Sequence, residues 1–128
     1  MRGKTIMTAL VEMDEEVSIR DQLEDTGGPV ILINKFTVNL DEAEQLVGAW
    51  TDDAAWMKRQ PGFISTQLHR GIASSCVFLN YAVWESTAHF RAAFTNPEFQ
   101  TKLGSYPSST IASPHLFRKV AVSGICLA

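Results

Sequence analysis

Between Val30 and Val122 the spacing of apolar residues switches between the period of a strand and that of a helix, and the order of those switches restricts the fold more than any other property of the chain. Val30–Val38 is an apolar, β-branched run bounded by turn residues, which predicts a strand. Asn39 follows, and Glu42, three residues on, is placed to reach back to the Asn39 amide as in a capping box. Ala43, Leu46, Val47, Trp50, Ala54 and Met57 then recur at helical spacing until Gln60-Pro61-Gly62 stops the helix. Phe63–Arg70 and Cys76–Trp84 read as strands, and the short loop between them makes an antiparallel hairpin. Ser86 caps a second helix carrying Phe90, Ala93 and Phe94 on one stripe, and Asn96-Pro97 opens a further helical piece over Phe99–Leu103. A polar loop, Ser105–Pro114, leads to a fourth strand over Leu116–Val122.

The resulting order, β-α-β-β-α-β, is the split βαβ arrangement of a ferredoxin-like α+β domain with a four-stranded antiparallel sheet. Two helices can cover only one face of that sheet. Yet the first strand is apolar on both parities, with Val30, Leu32 and Phe36 on one side and Ile31 and Ile33 on the other. The third strand repeats this, with Phe78 and Ala82 opposite Val77, Leu79 and Val83. A bare apolar face is a liability in water, so it is expected to meet a second copy, making a homodimer. Residues 29–128 form this domain. Residues 1–28 are an N-terminal extension with a short strand expected at Thr5–Val11, acidic at Asp14-Glu15-Glu16 and closed by Gly27-Gly28-Pro29.

Composition narrows the class of partner. Hydrophobic residues make up 45% and charged residues 20%, the balance of one globular domain, and the net charge of −3 gives no electrostatic case for nucleic acid. No apolar run approaches the roughly 20 residues of a membrane span, and no secretory leader is read, so the cytoplasm is expected. Cys76 and Cys126 are read as buried, reduced thiols. His69, His89 and His115 have no partners at ligand spacing, so no metal is expected, and no glycine-rich phosphate loop is present. Asp52-Asp53 is read as solvated charge on the first helix.

Four segments in order, Asn34-Lys35-Phe36, Met57 through Phe63 with its Gln60-Pro61-Gly62, Asn80 through Ser86, and Asn96-Pro97-Glu98-Phe99, resemble the antibiotic biosynthesis monooxygenase family of dimeric α+β barrels. The resemblance covers about Val30–Val122. It implies an oxygenase that oxidises a small aromatic or polycyclic phenol or quinol with O2 and no prosthetic group, in secondary metabolism. A haem-degrading branch of the family uses an Asn on the first strand with a Trp and a His on the second helical region. Asn34 matches the first, but Ala93 and Leu103 stand at the other two positions, which argues against haem.

Oxygen is a triplet and reacts readily only with an electron-rich enolate or phenolate. The protein's part is to bind the ring, help remove a proton and stabilise the oxyanion in a dry pocket, placed between helices and sheet. Asn34 interrupts an otherwise apolar parity, so its amide is the first candidate to hold a substrate oxygen; the alternative is an Asn satisfied by backbone across the sheet. Tyr81, on the opposite face of its strand from Asn80, is a candidate hydroxyl donor, and His69 a candidate general base. Arg70 is a candidate partner for a phenolate. Trp50 and Phe94 are candidates to line the pocket, Trp56 its rim or the dimer contact, and Trp84 a plug at the strand-to-helix corner that also touches substrate. Two other functions suit the same barrel: a non-redox cyclase or isomerase using His69 and Tyr81, and a non-catalytic dimer that binds an aromatic metabolite.

Overall fold

The computed structural model describes residues 9–128. The predicted segment Thr5–Thr8 lies outside the described residues. The elements are β1 (Ala9–Leu10), α1 (Ile19–Gln22), β2 (Val30–Thr37), α2 (Ala43–Met57), β3 (Phe63–Arg70), β4 (Val77–Trp84), α3 (Thr87–Phe94), α4 (Pro97–Lys102) and β5 (Ile111–Phe117), with short 3-10 turns at Leu40–Glu42 and Leu103–Ser105. The ferredoxin-like α+β order is present, but the sheet has five strands, not four, in the order β1-β5-β2-β4-β3. It is mixed because β1 runs parallel to β5 while every other pair is antiparallel.

The last strand differs most from expectation. It spans Ile111–Phe117, well before the predicted Leu116–Val122. Pro114 and its polar neighbours read as loop because proline cannot donate to a ladder. Here Val11 N–H bonds Ala112 O, and the Gln22 side chain bonds both backbone groups of Leu116. By alternation the backbone of Pro114 also faces that outer edge, where a missing N–H leaves the ladder to β2 intact. Gln22 receives the Leu116 N–H at 2.8 Å and donates to the Leu116 carbonyl at 2.9 Å, so it closes an edge that β1 is too short to cover. Ile19 and Leu23 are buried in the core beside Val30, Phe90 and Leu116, so this part of the extension packs as part of the domain.

The helix start also differs. Asn39 makes no side-chain cap, and Leu40–Glu42 forms a 3-10 turn before α2. The Asn39 N–H donates instead to Ser109 Oγ, whose hydroxyl donates to Glu42. Glu42 therefore supports the helix entry through a residue 67 positions away. The other two caps form as expected, Ser86 receiving the His89 N–H and Asn96 receiving that of Glu98. At the turn into β3, Gly62 has φ +84°, and a Cβ there would sit 2.2 Å from the His89 ring. Only glycine suits that position.

Helices α2, α3 and α4 cover the sheet face formed by Val30, Leu32, Phe36, Phe78, Ala82, Trp84 and Leu116. The opposite face carries Ile31, Ile33, Leu79, Tyr81, Val83 and Phe117, with Tyr81 and Phe117 each 37% exposed. Of the two cysteines, Cys76 is half-buried, while Cys126 is exposed in a terminal turn closed by a Val122–Cys126 bridge, contrary to the buried thiol expected there. Among the described residues no helix is long and apolar enough to cross a membrane.

Candidate active site

The helix-covered face encloses a cavity of about 50 Å³ lined by Leu32, Asn34, Trp50, Asp53, Thr66, Asn80, Trp84, Phe94 and Phe99, among others. A second cavity of about 80 Å³ adjoins it and shares Asn34, Phe36, Asp53, Phe94, Phe99 and Pro114. Ligand pockets commonly hold roughly 300–1,000 Å³, so seating a multi-ring molecule requires the two to merge and their walls to part further. Phe94 and Phe99, common to both, stand with ring centroids 5.6 Å apart. They end an aromatic series that runs Phe63, Trp84, Phe90, Phe94, Phe99, with successive centroids 5.2–5.8 Å apart. The wall is therefore apolar and stiff, the kind of lining on which a flat ring packs.

Its polar groups are few and oriented. Asn34 sits opposite Pro114 on β5 and Asn80 on β4. Its Oδ1 accepts the Ser113 backbone N–H at 3.1 Å. A backbone N–H can only donate, so the amide oxygen is assigned to that side and the NH2 is turned toward the cavity. Asn80 is anchored by a side chain: the Thr66 hydroxyl donates to its Oδ1 at 2.6 Å. The Trp84 indole nitrogen is shielded from solvent with no hydrogen-bond partner among the described residues. Buried N–H groups are rarely left unpaired. Amide groups of Asn34 and Asn80 and the indole of Trp84 therefore gather on one wall of the cavity, which is the chemistry of a seat for an oxyanion or a carbonyl oxygen.

One acid faces the donors. Asp53, expected in water, is half-buried on α2 beneath the turn after α4. Tyr106 donates its hydroxyl to Asp53 Oδ2 at 2.9 Å, and its ring stacks on Phe36. Burial pushes the Asp53 carboxyl up to about 6, against the opposing pull of the Tyr106 hydroxyl and of Lys102. Burial likewise raises the Tyr106 hydroxyl above its usual range, and the adjacent Asp53 adds to this. The signal was in the helical period itself. Leu46, Trp50, Asp53 and Met57 share one stripe, so Asp53 points where the apolar residues point. Asn80 carried a similar signal, lying between Phe78 and Ala82 on the covered parity of β4.

The remaining candidates divide by face. Trp50 and Phe94 line the cavity, and Trp84 does so while being 1% exposed. Trp56 is 4% exposed and stacks on Phe99 at 6.3 Å in the core, so it forms neither rim nor surface contact. Tyr81 and His69 lie on the opposite face of the sheet from Asn34. Tyr81 borders an outer groove with Ile31, Ile64 and Val83, and exposed His69 contacts the Leu79 carbonyl through Nδ1 at 3.2 Å. An acid–base pair of these two residues has no access to the enclosed cavity. Arg70 is on the covered face but at its exposed end, bonding the Ser75 carbonyl and lying 5.1 Å over the Phe78 ring. Haem does not fit: Ala93 is buried against the core where an aromatic partner is needed, and Leu103 has no ligand atom. Among the described residues no group of His, Cys, Asp or Glu is placed to hold a metal ion.

A family model described as antibiotic biosynthesis monooxygenase matches residues 29–102. Deoxynogalonate monooxygenase of Streptomyces nogalater is 36% identical over 70 residues, a stretch covering 55% of this chain and 58% of that protein. The crystal structure of SnoaB, a cofactor-independent oxygenase from the same organism, superposes with a TM-score of 0.67 at 26% identity, covering 78% of this chain and 98% of that one. A protein from Shewanella loihica PV-4 assigned as a monooxygenase superposes with a TM-score of 0.65 at 33% identity, covering 75% and 98%.

Proposed function

This chain belongs to the antibiotic biosynthesis monooxygenase family, and from that premise we propose that it oxidises a small aromatic or polycyclic phenol or quinol with O2 and no prosthetic group. The observation that carries the reading is Asn34 lining a largely apolar, aromatic cavity with its amide oxygen occupied by Ser113, so that its NH2 is the end left to a substrate oxygen, beside Asn80 and Trp84. A phenol in its keto tautomer has an acidic ring CH2. Loss of one proton gives an enolate whose negative oxygen those donors hold, and the electron-rich ring carbon then reduces O2 to a bound peroxide. Loss of the second C–H proton with cleavage of the O–O bond leaves a carbonyl on carbon and releases water. The substrate supplies all four electrons, so no external reductant enters.

The likeness to a cofactor-independent oxygenase supports this chemistry. In the same reading the protein works as a cytoplasmic homodimer, with the Tyr81 face of the sheet against its copy. That pairing shields an apolar surface and leaves the cavity on the other side of each sheet free. The test is oxygen uptake by the purified, metal-free and flavin-free protein with anthrone, a three-ring ketone bearing such a CH2. Uptake above the uncatalysed rate, with anthraquinone formed in equal amount, is expected. Binding of anthrone without any oxygen consumption would sink the oxygenase reading in favour of a sequestering protein.

A further inference from the structure

We propose that Asp53 is the general base that removes the substrate's proton, with Tyr106 as the residue that positions it; this rests on the oxygenase reading of the cavity. The argument starts from the two carboxylate oxygens. Oδ2 is held by the Tyr106 hydroxyl at 2.9 Å. Oδ1 is shielded from solvent and has no hydrogen-bond partner among the described residues. Leaving a carboxylate oxygen dry and unpaired is costly, and the surrounding wall of Phe36, Phe94 and Phe99 supplies no donor. Asp53 lines both cavities, as does Asn34, whose amide oxygen is taken up by Ser113 and whose NH2 is left to donate. A substrate lying between them places its oxygen on the Asn34 amide and its acidic C–H toward Asp53 Oδ1.

The step balances simply. The proton passes from ring carbon to Asp53 Oδ1, the C–H electron pair stays on the substrate as enolate, and the acid form of Asp53 later returns that proton to the peroxide formed with O2. The charge environment suits the task. Facing Asp53 are Tyr106 from the turn after α4, Lys102 from α4 and Asp52 from its own helix, while the described sheet residues that line the cavities with it, Asn34, Phe36 and Pro114 among them, carry no charge. The Lys102 ammonium is 3.2 Å from Asp52, so its charge is shared outward. Asp53 is left mostly ionised at neutral pH and more basic than a carboxylate in water, as a base poised near the working pH should be.

The experiment reads the proton alone. Under anaerobic conditions in D2O, the wild-type protein should accelerate deuterium exchange into the CH2 of anthrone, with an inflection near pH 6. Asp53→Asn keeps the Tyr106 acceptor and should lose exchange by about 10²-fold or more, within the range for one positioned base. Asp53→Glu should recover part of it. Tyr106→Phe should keep exchange but move the inflection to higher pH, because a hydrogen bond to the charged form is lost. Undiminished exchange in Asp53→Asn, or no exchange by the wild type, overturns the proposal. Should Asp53→Asn fail to fold, an unmoved inflection in Tyr106→Phe overturns it equally. Exchange that depends on Asp53 without oxygen uptake in air would keep the base and remove the oxygenase reading, so the two failures are separable.

Discussion

The backbone N–H of Ser113 ends on the side-chain oxygen of Asn34, 3.1 Å away and across the strand pair from Pro114. One bond between β5 and a β2 side chain therefore sets which end of an amide meets the cavity. Asn34 is satisfied by the sheet and available to a substrate at once. The two roles weighed for it use opposite ends of the same group.

That division predicts a separation of stability from activity at this position. Asn34→Asp keeps an acceptor for Ser113 and loses the NH2, so it should stay folded while oxygen uptake falls by about 10²-fold, the scale for one lost oxyanion donor. Asn34→Leu should lose activity equally and also cost roughly 1–3 kcal/mol, because the buried Ser113 N–H is left unpaired. Urea unfolding alongside oxygen consumption checks both. Equal stability of the two variants would contradict the assignment of the amide.

Thr66 acts one step back from the cavity. Thr66→Val removes the hydroxyl that holds Asn80 Oδ1 and frees that amide to rotate. The expected result is about a tenfold loss of turnover with stability changed by roughly 1 kcal/mol. Initial-rate kinetics and thermal melting on one preparation suffice. Turnover at the wild-type level would mean that the orientation of Asn80 is set by something else.

The buried acid makes stability depend on pH in an unusual sense. Burial pushes the folded Asp53 carboxyl up to about 6 from its ordinary 3.8, so between those pH values the native state binds more protons than the unfolded state. Stability from this group is therefore present below about pH 3.8 and lost as pH rises to about 6. Asp53→Asn removes the penalty. At pH 8 it should be more stable than wild type by roughly 1–3 kcal/mol, a gap that closes by pH 4. Denaturant titrations at both pH values decide this, and a gap that widens toward acid would show the sign to be wrong.

The outer face is expected to answer to association and not to the cavity. Tyr81→Asp puts a charge in the middle of the proposed dimer contact, and sedimentation should then find a monomer. His69→Ala, altering an exposed residue beyond the reach of the cavity, should leave turnover within about twofold of wild type. A Tyr81→Asp protein that remains dimeric would place the interface elsewhere.

Gln22 ties the N-terminal segment to β5 by two bonds to Leu116. Gln22→Ala leaves both groups of a largely buried residue unpaired, so a loss of roughly 1–3 kcal/mol is expected. Faster hydrogen exchange at the Leu116 amide would localise the effect, and unchanged exchange there would argue that water replaces the side chain.

By itself the sequence determined the order of elements, the two parities of β2 and β4, two of the three helix caps and Asn34 as an odd polar group on an apolar parity. Each of these is local: a period of two or 3.6, or a cap three residues from its partner, repeats within a few positions. What tertiary structure decided depends on residues far apart in the chain. Pro114 is tolerated in β5 because Ala9–Leu10 and Gln22 share its outer edge, and Glu42 reaches the helix entry through Ser109. Asp53 lay on the apolar stripe of its own helix, but two adjacent acids looked like solvated charge until Tyr106 and Phe36 closed over one of them. Tyr81 and His69 were candidates by chemistry, and the fold places them on the sheet face opposite Asn34. A pleated strand sends neighbouring side chains to opposite faces, and only the packing of helices on one of them decides which face becomes a pocket.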